Sequence, residues 1–364
     1  MKRILVRTAA ALLAAVLLLP VDVWAVSAKS AVLMDAQTGR ILYEKNADQR
    51  SLIASTTKIM TALIICEQCN VLDRMRIPKE AVGIEGSSMY LKEGEILSLQ
   101  ELLFGLMLHS GNDAAVALAI YCGGTVEGFV ELMNDKARLL GLSGTHFANP
   151  NGLDHPDHYS TARDLAVLAA YAMENPIFQK TASTKTLTLG NRSMKNHNKL
   201  LWMVDGADGV KTGFTRAAGR VLVSSASRDG RRLIAVTIHD PNDWKDHQAL
   251  LESGFRNYTH RQLVASGQQV GTRYVLSGTE ASVPILAAED FYYPMMQDET
   301  ATIVLANPEF SYAPVAAGAE AGFAYICIGD KVVGKVLTVY GHTVEEKPPE
   351  KHHFWDGLFG GSSK

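Results

Sequence analysis

Three short motifs, each present once and in this order, concentrate the chemistry of this chain: Ser55-Thr56-Thr57-Lys58, Ser110-Gly111-Asn112 and Lys211-Thr212-Gly213. They supply a hydroxyl nucleophile with an amine three residues on, a second hydroxyl with an amide, and a cation with a hydroxyl. That inventory suits acyl transfer through a serine ester without a histidine triad. On a helix, positions three apart share one face, so the Lys58 amine can reach the Ser55 hydroxyl. A lysine accepts a proton only when it is neutral, and burial or a nearby second cation lowers its pKa. Lys211 is the candidate for that cation, and Lys58 is the residue expected to be neutral. If the hydroxyl sits at a helix start, the helix dipole also favours its alkoxide.

The remaining groups take complementary roles. Ser110 can relay a proton between the amine and a leaving nitrogen, and Asn112 can hold substrate amide and lysine together. Lys211 and Thr212, on a strand edge, suit a substrate carboxylate. Gly213 lets a substrate backbone approach that strand. The backbone amides of Ser55 and Phe214 are the candidate oxyanion hole. Each motif alone is a weak signal. Their fixed order, 55 and 101 residues apart, is a strong one.

The elements that must position these groups are legible in part. Residues 31–35 and 40–44 read as strand, turn and strand, and a helical stretch opens at Ser55. Gly209-Val210-Lys211-Thr212 reads as strand. Arg220–Ala226 and Leu233–Ile238 flank Arg228-Asp229-Gly230, a strong hairpin signal. Between the early and late strands lie helical patterns at 99–108, 114–121, 126–140 and from Ser160 onward. Asn149-Pro150-Asn151-Gly152 and His155-Pro156-Asp157 mark a long loop. The expected catalytic domain, residues 29–260, is therefore α/β (α+β): one antiparallel sheet built from both chain ends, with helices on both faces. Residues 261–343 change to short β-like runs and are expected to form a small all-β domain. Residues 344–364 hold a charged, proline-broken linker and an apolar tail.

At 364 residues, 47% hydrophobic and with a net charge of −3, the chain has ample core and no basic block that would track nucleic acid. Lys2, Arg3 and Arg7 precede an apolar run from Ala9 to Leu19, with small residues placed for cleavage after Ala25 or Ala28. This reads as a signal peptide over residues 1–28, so the protein is expected outside the cytoplasmic membrane. Export permits disulfides. Cys66 and Cys69 nevertheless lack a second pair at zinc spacing, and the four cysteines are expected to be free thiols. No metal or cofactor is called for. His155, His158 and His197 read as structural, and Trp202 as core.

With these motifs the chain resembles the low-molecular-mass penicillin-binding proteins, specifically the serine D-alanyl-D-alanine carboxypeptidases (peptidase family S11-like) of bacterial cell-wall metabolism. The resemblance spans roughly residues 28–345 and includes Asn149-Pro150-Asn151-Gly152-Leu153, the stretch Tyr159 to Leu165, and Asn196-His197-Asn198-Lys199-Leu200-Leu201. It implies a transpeptidase-like domain with a β-rich C-terminal domain. It also implies attack on the peptide between two D-alanines of a peptidoglycan stem, release of the last one, and hydrolysis of the acyl-enzyme. Penicillins mimic that substrate and trap the ester.

Phe214 departs from the members that carry His at this place; others, including sporulation-associated ones, carry an aromatic. Arg216 and Arg220 are possible helpers for the terminal carboxylate. Two other functions stay open: a serine β-lactamase, and a non-catalytic sensor of peptidoglycan or β-lactams. Class A lactamases use a glutamate for deacylation, whereas residues 149–162 hold only Asp154 and Asp157 as acids. In many relatives a C-terminal amphipathic helix lies on the membrane. Here Phe354, Trp355, Leu358 and Phe359 would share one arc, giving weak membrane contact.

Overall fold

The computed structural model describes residues 26–190, 192–306 and 309–349. It divides into two compact units, the first ending at Phe255 and the second starting at Arg256. The expected leader, save Val26–Ala28, and the apolar tail lie outside the described residues.

The first unit is organised on a five-stranded antiparallel sheet in the order β2-β1-β9-β8-β7. The strands are β1 (Ser30–Asp35), β2 (Ile41–Lys45), β7 (Ala207–Thr215), β8 (Gly219–Arg228) and β9 (Arg231–Ile238). Short strands β3 (Arg74–Arg76), β4 (Ile96–Ser98), β5 (Thr186–Leu189) and β6 (Arg192–Lys195) form two small hairpin-like pairs outside it. The sheet thus joins both ends of the unit, as its sequence implies. Successive side chains on a strand face opposite ways, and here both faces are covered. Val221, Val223, Ile234 and Val236 enter one core, while Leu222, Ala226, Leu233 and Ala235 enter the other. Burial on both sides is why these strands read as continuous apolar runs. The β8–β9 connection is the Asp229-Gly230 turn, with φ of 50° and 75°; positive φ at both centres is what a tight hairpin requires.

The larger core is filled by α1 (Lys58–Gln68), α2 (Leu99–Leu108), α3 (Asn112–Gly123), α4 (Val126–Leu139), α5 (Ala162–Ala172) and α6 (Pro176–Ser183). α1 is buried from Lys58 through Cys66, so its sequence is apolar nearly all round. Ser98 and Glu101 form a capping box on α2, and Thr161 caps α5. On the opposite face lie α7 (Leu200–Met203) and α8 (Asp243–Asn257). His247 of α8 bridges Ser224 of β8 (2.6 Å) and Thr237 of β9 (2.9 Å). Its full burial pushes the imidazole down to about 3, so it is a neutral polar pin between helix and sheet.

Val26, Ser27 and Ala28 belong to this unit. Val26 and Ala28 pack into the second core, Lys45 donates to the Val26 carbonyl at 2.8 Å, and the Ser27 hydroxyl donates to Asp240 at 2.7 Å.

Beyond the end of α8, the described residues of the second unit are all-β. Strands β10 (Thr259–Val264) and β13 (Phe291–Met295) pair. A six-stranded sheet runs β14-β16-β17-β12-β11-β15, comprising β11 (Gln269–Leu276), β12 (Ser282–Ala287), β14 (Ala301–Ala306), β15 (Phe310–Tyr312), β16 (Glu320–Ile328) and β17 (Lys331–Tyr340).

Candidate active site

Ser55 lies on a 3-10 turn, Ala54–Thr57, that runs straight into α1, so Lys58 is the first residue of the helix and follows the nucleophile by one turn. The turn is held under strain. Ala54 takes φ +46°, a region a residue with a side chain enters only when its surroundings enforce it. Two contacts enforce it. The Thr57 hydroxyl donates to the Ala54 carbonyl at 2.8 Å, and His158 Nε2 lies 2.7 Å from the same hydroxyl. His158 Nδ1 accepts from the Ala148 amide (3.1 Å), so the ring proton is on Nε2 and points at Thr57. Burial pushes this histidine down to about 4 and keeps it neutral.

Lys58 is fully buried. Its Nζ lies 3.0 Å from Ser55 Oγ, 2.7 Å from Asn112 Oδ1 and 2.5 Å from the Asn151 carbonyl. The last two partners only accept. Asn112 is fixed in that sense because its Nδ2 donates to the Glu85 carbonyl at 2.5 Å. A neutral amine has two N–H bonds and one lone pair. Spending both N–H bonds on Asn112 and Asn151 leaves the lone pair facing the serine hydroxyl. Burial and the Lys211 charge hold the Lys58 pKa well below the usual lysine range, while the Asp113 carboxylate opposes them.

The second and third motifs close on the same place. Ser110, with φ +61°, and Gly111 form the tight turn between α2 and α3, which puts Asn112 at the start of α3. Lys211 is buried on β7, the edge strand, with Nζ 3.0 Å from the Thr212 carbonyl; burial lowers its pKa to about 7. Ser55, Ser110, Thr212, Gly213 and Phe214 line one cavity of about 310 Å³, with Lys58, Asn112 and Lys211 buried beneath or beside it. A Cβ on Gly213 would lie 3.0 Å from the Ser55 amide nitrogen and 3.1 Å from both Ile53 O and Thr56 N. Strand β7 therefore passes the nucleophile turn so closely that any side chain here would force the backbone to give. Phe214 itself is exposed, consistent with a role for its backbone rather than its ring.

The structure adds groups that the motifs do not contain. The Asn151 carbonyl and Gly152 pack against the turn; a Cβ on Gly152 would stand 2.0 Å from Ala54 O. The buried Asp113 carboxylate accepts from Ser88 Oγ and from the amides of Met89, Leu91 and Ala114, fixing the loop that brings Ser87 to the cavity. His197 lines the cavity as well, stacked on His109 with ring centroids 5.8 Å apart. Arg220, but not Arg216, reaches the wall; its guanidinium donates to both oxygens of Asp243 (2.7 and 2.8 Å) and lies 5.5 Å from the Trp244 ring centre. Trp202 is not core. It is 45% exposed, because α7 is a single turn that buries Leu200 and Leu201 instead, and Lys195 lies over its ring. Of the loop acids, Asp154 accepts from Thr215 at 2.8 Å and Asp157 is exposed, so neither attends Ser55.

Residues 19–242 match the family model for D-alanyl-D-alanine carboxypeptidase, and residues 258–346 match that for the penicillin-binding protein 5 C-terminal domain. The chain is 36% identical to the D-alanyl-D-alanine carboxypeptidase DacF of Bacillus subtilis over 72% of its length and 71% of that protein. It is 36% identical to DacD of Escherichia coli, covering 85% of this chain and 84% of the relative. Among solved structures, penicillin binding protein 5 from Haemophilus influenzae superposes with a TM-score of 0.74 at 32% identity, covering 88% of this chain and 98% of the other.

The close passage of β7 yields a direct test. Gly213→Ala must shift the strand relative to the nucleophile turn by a few tenths of an ångström, since the atoms its Cβ meets are backbone atoms that cannot swing aside. The expected result is a roughly 100-fold slower acylation of Ser55 by a penicillin, with a thermal midpoint close to that of the parent. Acylation at the parent rate would show that the contact does not position the site.

Proposed function

The chain belongs to the D-alanyl-D-alanine carboxypeptidase family, and on that premise we propose how its own residues carry the family's penicillin-binding, serine-type hydrolase activity. The peptide ending in D-Ala-D-Ala lies along the outer edge of β7, its terminal carboxylate at Lys211 and Thr212, with Arg220 nearby. Ser55 Oγ attacks the carbonyl between the two D-alanines and gives its proton to the neutral Lys58. The Ser55 and Phe214 amides hold the developing oxyanion. Ser110 passes the proton to the leaving D-alanine nitrogen. Water then hydrolyses the ester. The single observation that carries this reading is the 3.0 Å approach of a fully buried lysine amine to the serine hydroxyl, with both other amine contacts going to acceptor-only oxygens. With Asp154 and Asp157 engaged or remote, no acid of that loop activates a deacylating water, which disfavours the β-lactamase reading.

Intact-mass measurement with penicillin is expected to show one adduct, lost in Ser55→Ala. Diacetyl-Lys-D-Ala-D-Ala should release free D-alanine, reduced about 10²- to 10⁴-fold in Lys58→Ala. Rapid turnover of a chromogenic cephalosporin would favour a lactamase, and no D-alanine release at any pH would favour a sensor.

The protein is further proposed to act outside the cytoplasmic membrane, after removal of a leader. Cleavage after Ala25 keeps Val26–Ala28, whose Val26 and Ala28 are buried, whereas cleavage after Ala28 discards all three. N-terminal sequencing of exported protein should therefore begin at Val26; a start at Lys29 would contradict this, and retention of Met1 would contradict the leader itself. In the same cells, ending the chain at Lys351 should lower the membrane-bound fraction if the tail makes weak membrane contact; an unchanged fraction would refute that contact.

A further inference from the structure

Away from the cavity, the densest unused chemistry is a group of thiols. Cys66 lies near the end of α1, Cys69 is the residue that terminates that helix, and Cys122 lies in the last turn of α3. Cys69 and Cys122 are both half-buried against the same core cluster. Cys122 Sγ donates to Gln68 Oε1, next door to Cys69, at 3.8 Å, and the Cys69 and Cys122 thiols are near enough to influence each other's ionisation. Cys66 is buried in the core instead.

The position of this pair matters. α1 starts with Lys58 and α3 starts with Asn112, and those two side chains are bonded to each other. Cys69 and Cys122 therefore meet at the far ends of the two helices whose near ends build the base. At ~1.5 Å per residue, the two meetings are roughly 16 Å apart.

We propose that Cys69 and Cys122 form a disulfide on oxidation, a clasp on the two helices that deliver Lys58 and Asn112 to the site. The oxidant is a small-molecule or protein disulfide. The Cys122 thiolate attacks one of its sulfurs, forming a mixed disulfide and expelling one thiolate. Deprotonated Cys69 then attacks the Cys122 sulfur and expels the second. Two protein thiols lose two protons and two electrons, and the oxidant becomes two thiols. Cys122 goes first because burial raises it while the neighbouring Cys69 thiol favours its thiolate, whereas Cys122 raises Cys69. Burial raises both thiols, Cys69 to about 12, so the reaction quickens with rising pH. Pairing of Cys66 with Cys69 would close only a short loop along one helix, whereas the Cys69–Cys122 bond closes a loop across 52 intervening residues and constrains the unfolded chain far more. Use of the clasp in the cell rests on the export reading, but the pair can be tested on purified protein alone.

The purified full chain is incubated with oxidised glutathione at alkaline pH or with dithiothreitol, then denatured in N-ethylmaleimide and weighed. Reduced protein should take up four maleimides. Oxidised protein should take up two, retain no glutathione, and yield one cross-linked tryptic pair joining residues 59–74 to 93–136. Its thermal midpoint should rise by about 5 °C. Cys69→Ser and Cys122→Ser should each abolish cross-link and rise, and Cys66→Ser should keep both. Four maleimides after oxidation, a stable glutathione adduct, or a cross-link that survives Cys69→Ser would overturn the pairing. A cross-link without the thermal rise would overturn its role as a clasp.

Discussion

A lysine amine buried with only two hydrogen-bond acceptors and one hydroxyl is the constraint on which this molecule is built. Removing an ammonium from water costs far more than removing a neutral amine, so deep burial selects the neutral form. The charge on Lys211 pushes in the same direction. Asn112 Oδ1 and the Asn151 carbonyl then decide orientation: they take the two N–H bonds and leave the lone pair for Ser55. Lys211 has the complementary task. Burial lowers it to about 7, and in the proposed reaction the substrate carboxylate would supply the counter-charge that keeps its proton in place. In the proposed reaction two lysines of the same kind would thus act as base and as cation because only one of them is offered an anion.

The fold serves that arrangement by bringing three chain segments to one point and fixing each from behind. The nucleophile turn is braced by Thr57 and His158, the Ser110 turn by Asp113 and by the Gly111 and Asn112 amides, which donate to the Gly105 and Ser87 carbonyls, and β7 by its pairing with β8 from Gly209 to Thr215. The positive φ values at Ala54 and Ser110 fall on the two residues that flank the reacting hydroxyls or carry one of them. Strain of this sort persists only in a well-packed scaffold, and the large core around α1 supplies it. As the edge of the sheet, β7 pairs with β8 on one side, and its other side is where the proposed extended peptide would pair.

How much of this is legible in the sequence depends on the range of the interaction. Ser55 and Lys58 are one turn apart, so local geometry alone nearly fixes their contact. The β8–β9 hairpin is equally local, written in Asp229-Gly230 between apolar runs. The sheet order follows from joining the early and late strands. Other features are invisible. α8 hides its helical stripe because a polar residue, His247, holds the innermost position where an apolar one would mark the face. In β16, Gly322 and the small Ala321 and Ala324 blur the alternation that would announce a strand. The Asn151 contact is made by a backbone carbonyl, which carries no residue identity, and Asp113 and His158 act by bracing loops distant in sequence. Trp202 was misjudged by size: a large aromatic usually seeks the core, but a one-turn helix has room to bury only two of its side chains. Cys69 and Cys122, 53 positions apart, gain meaning only when α1 and α3 are seen side by side.

The most direct test of this picture is the charge state of Lys58 in the unliganded protein. With lysine labelled at Cε and the resonance assigned by its loss in Lys58→Met, a titration followed by NMR reads that amine alone. A midpoint well below the usual lysine range, with the amine neutral at the pH where the enzyme is acylated, is the predicted result. A Lys58 that keeps its proton up to pH values ordinary for lysine would contradict the account, since no lone pair would then face the serine.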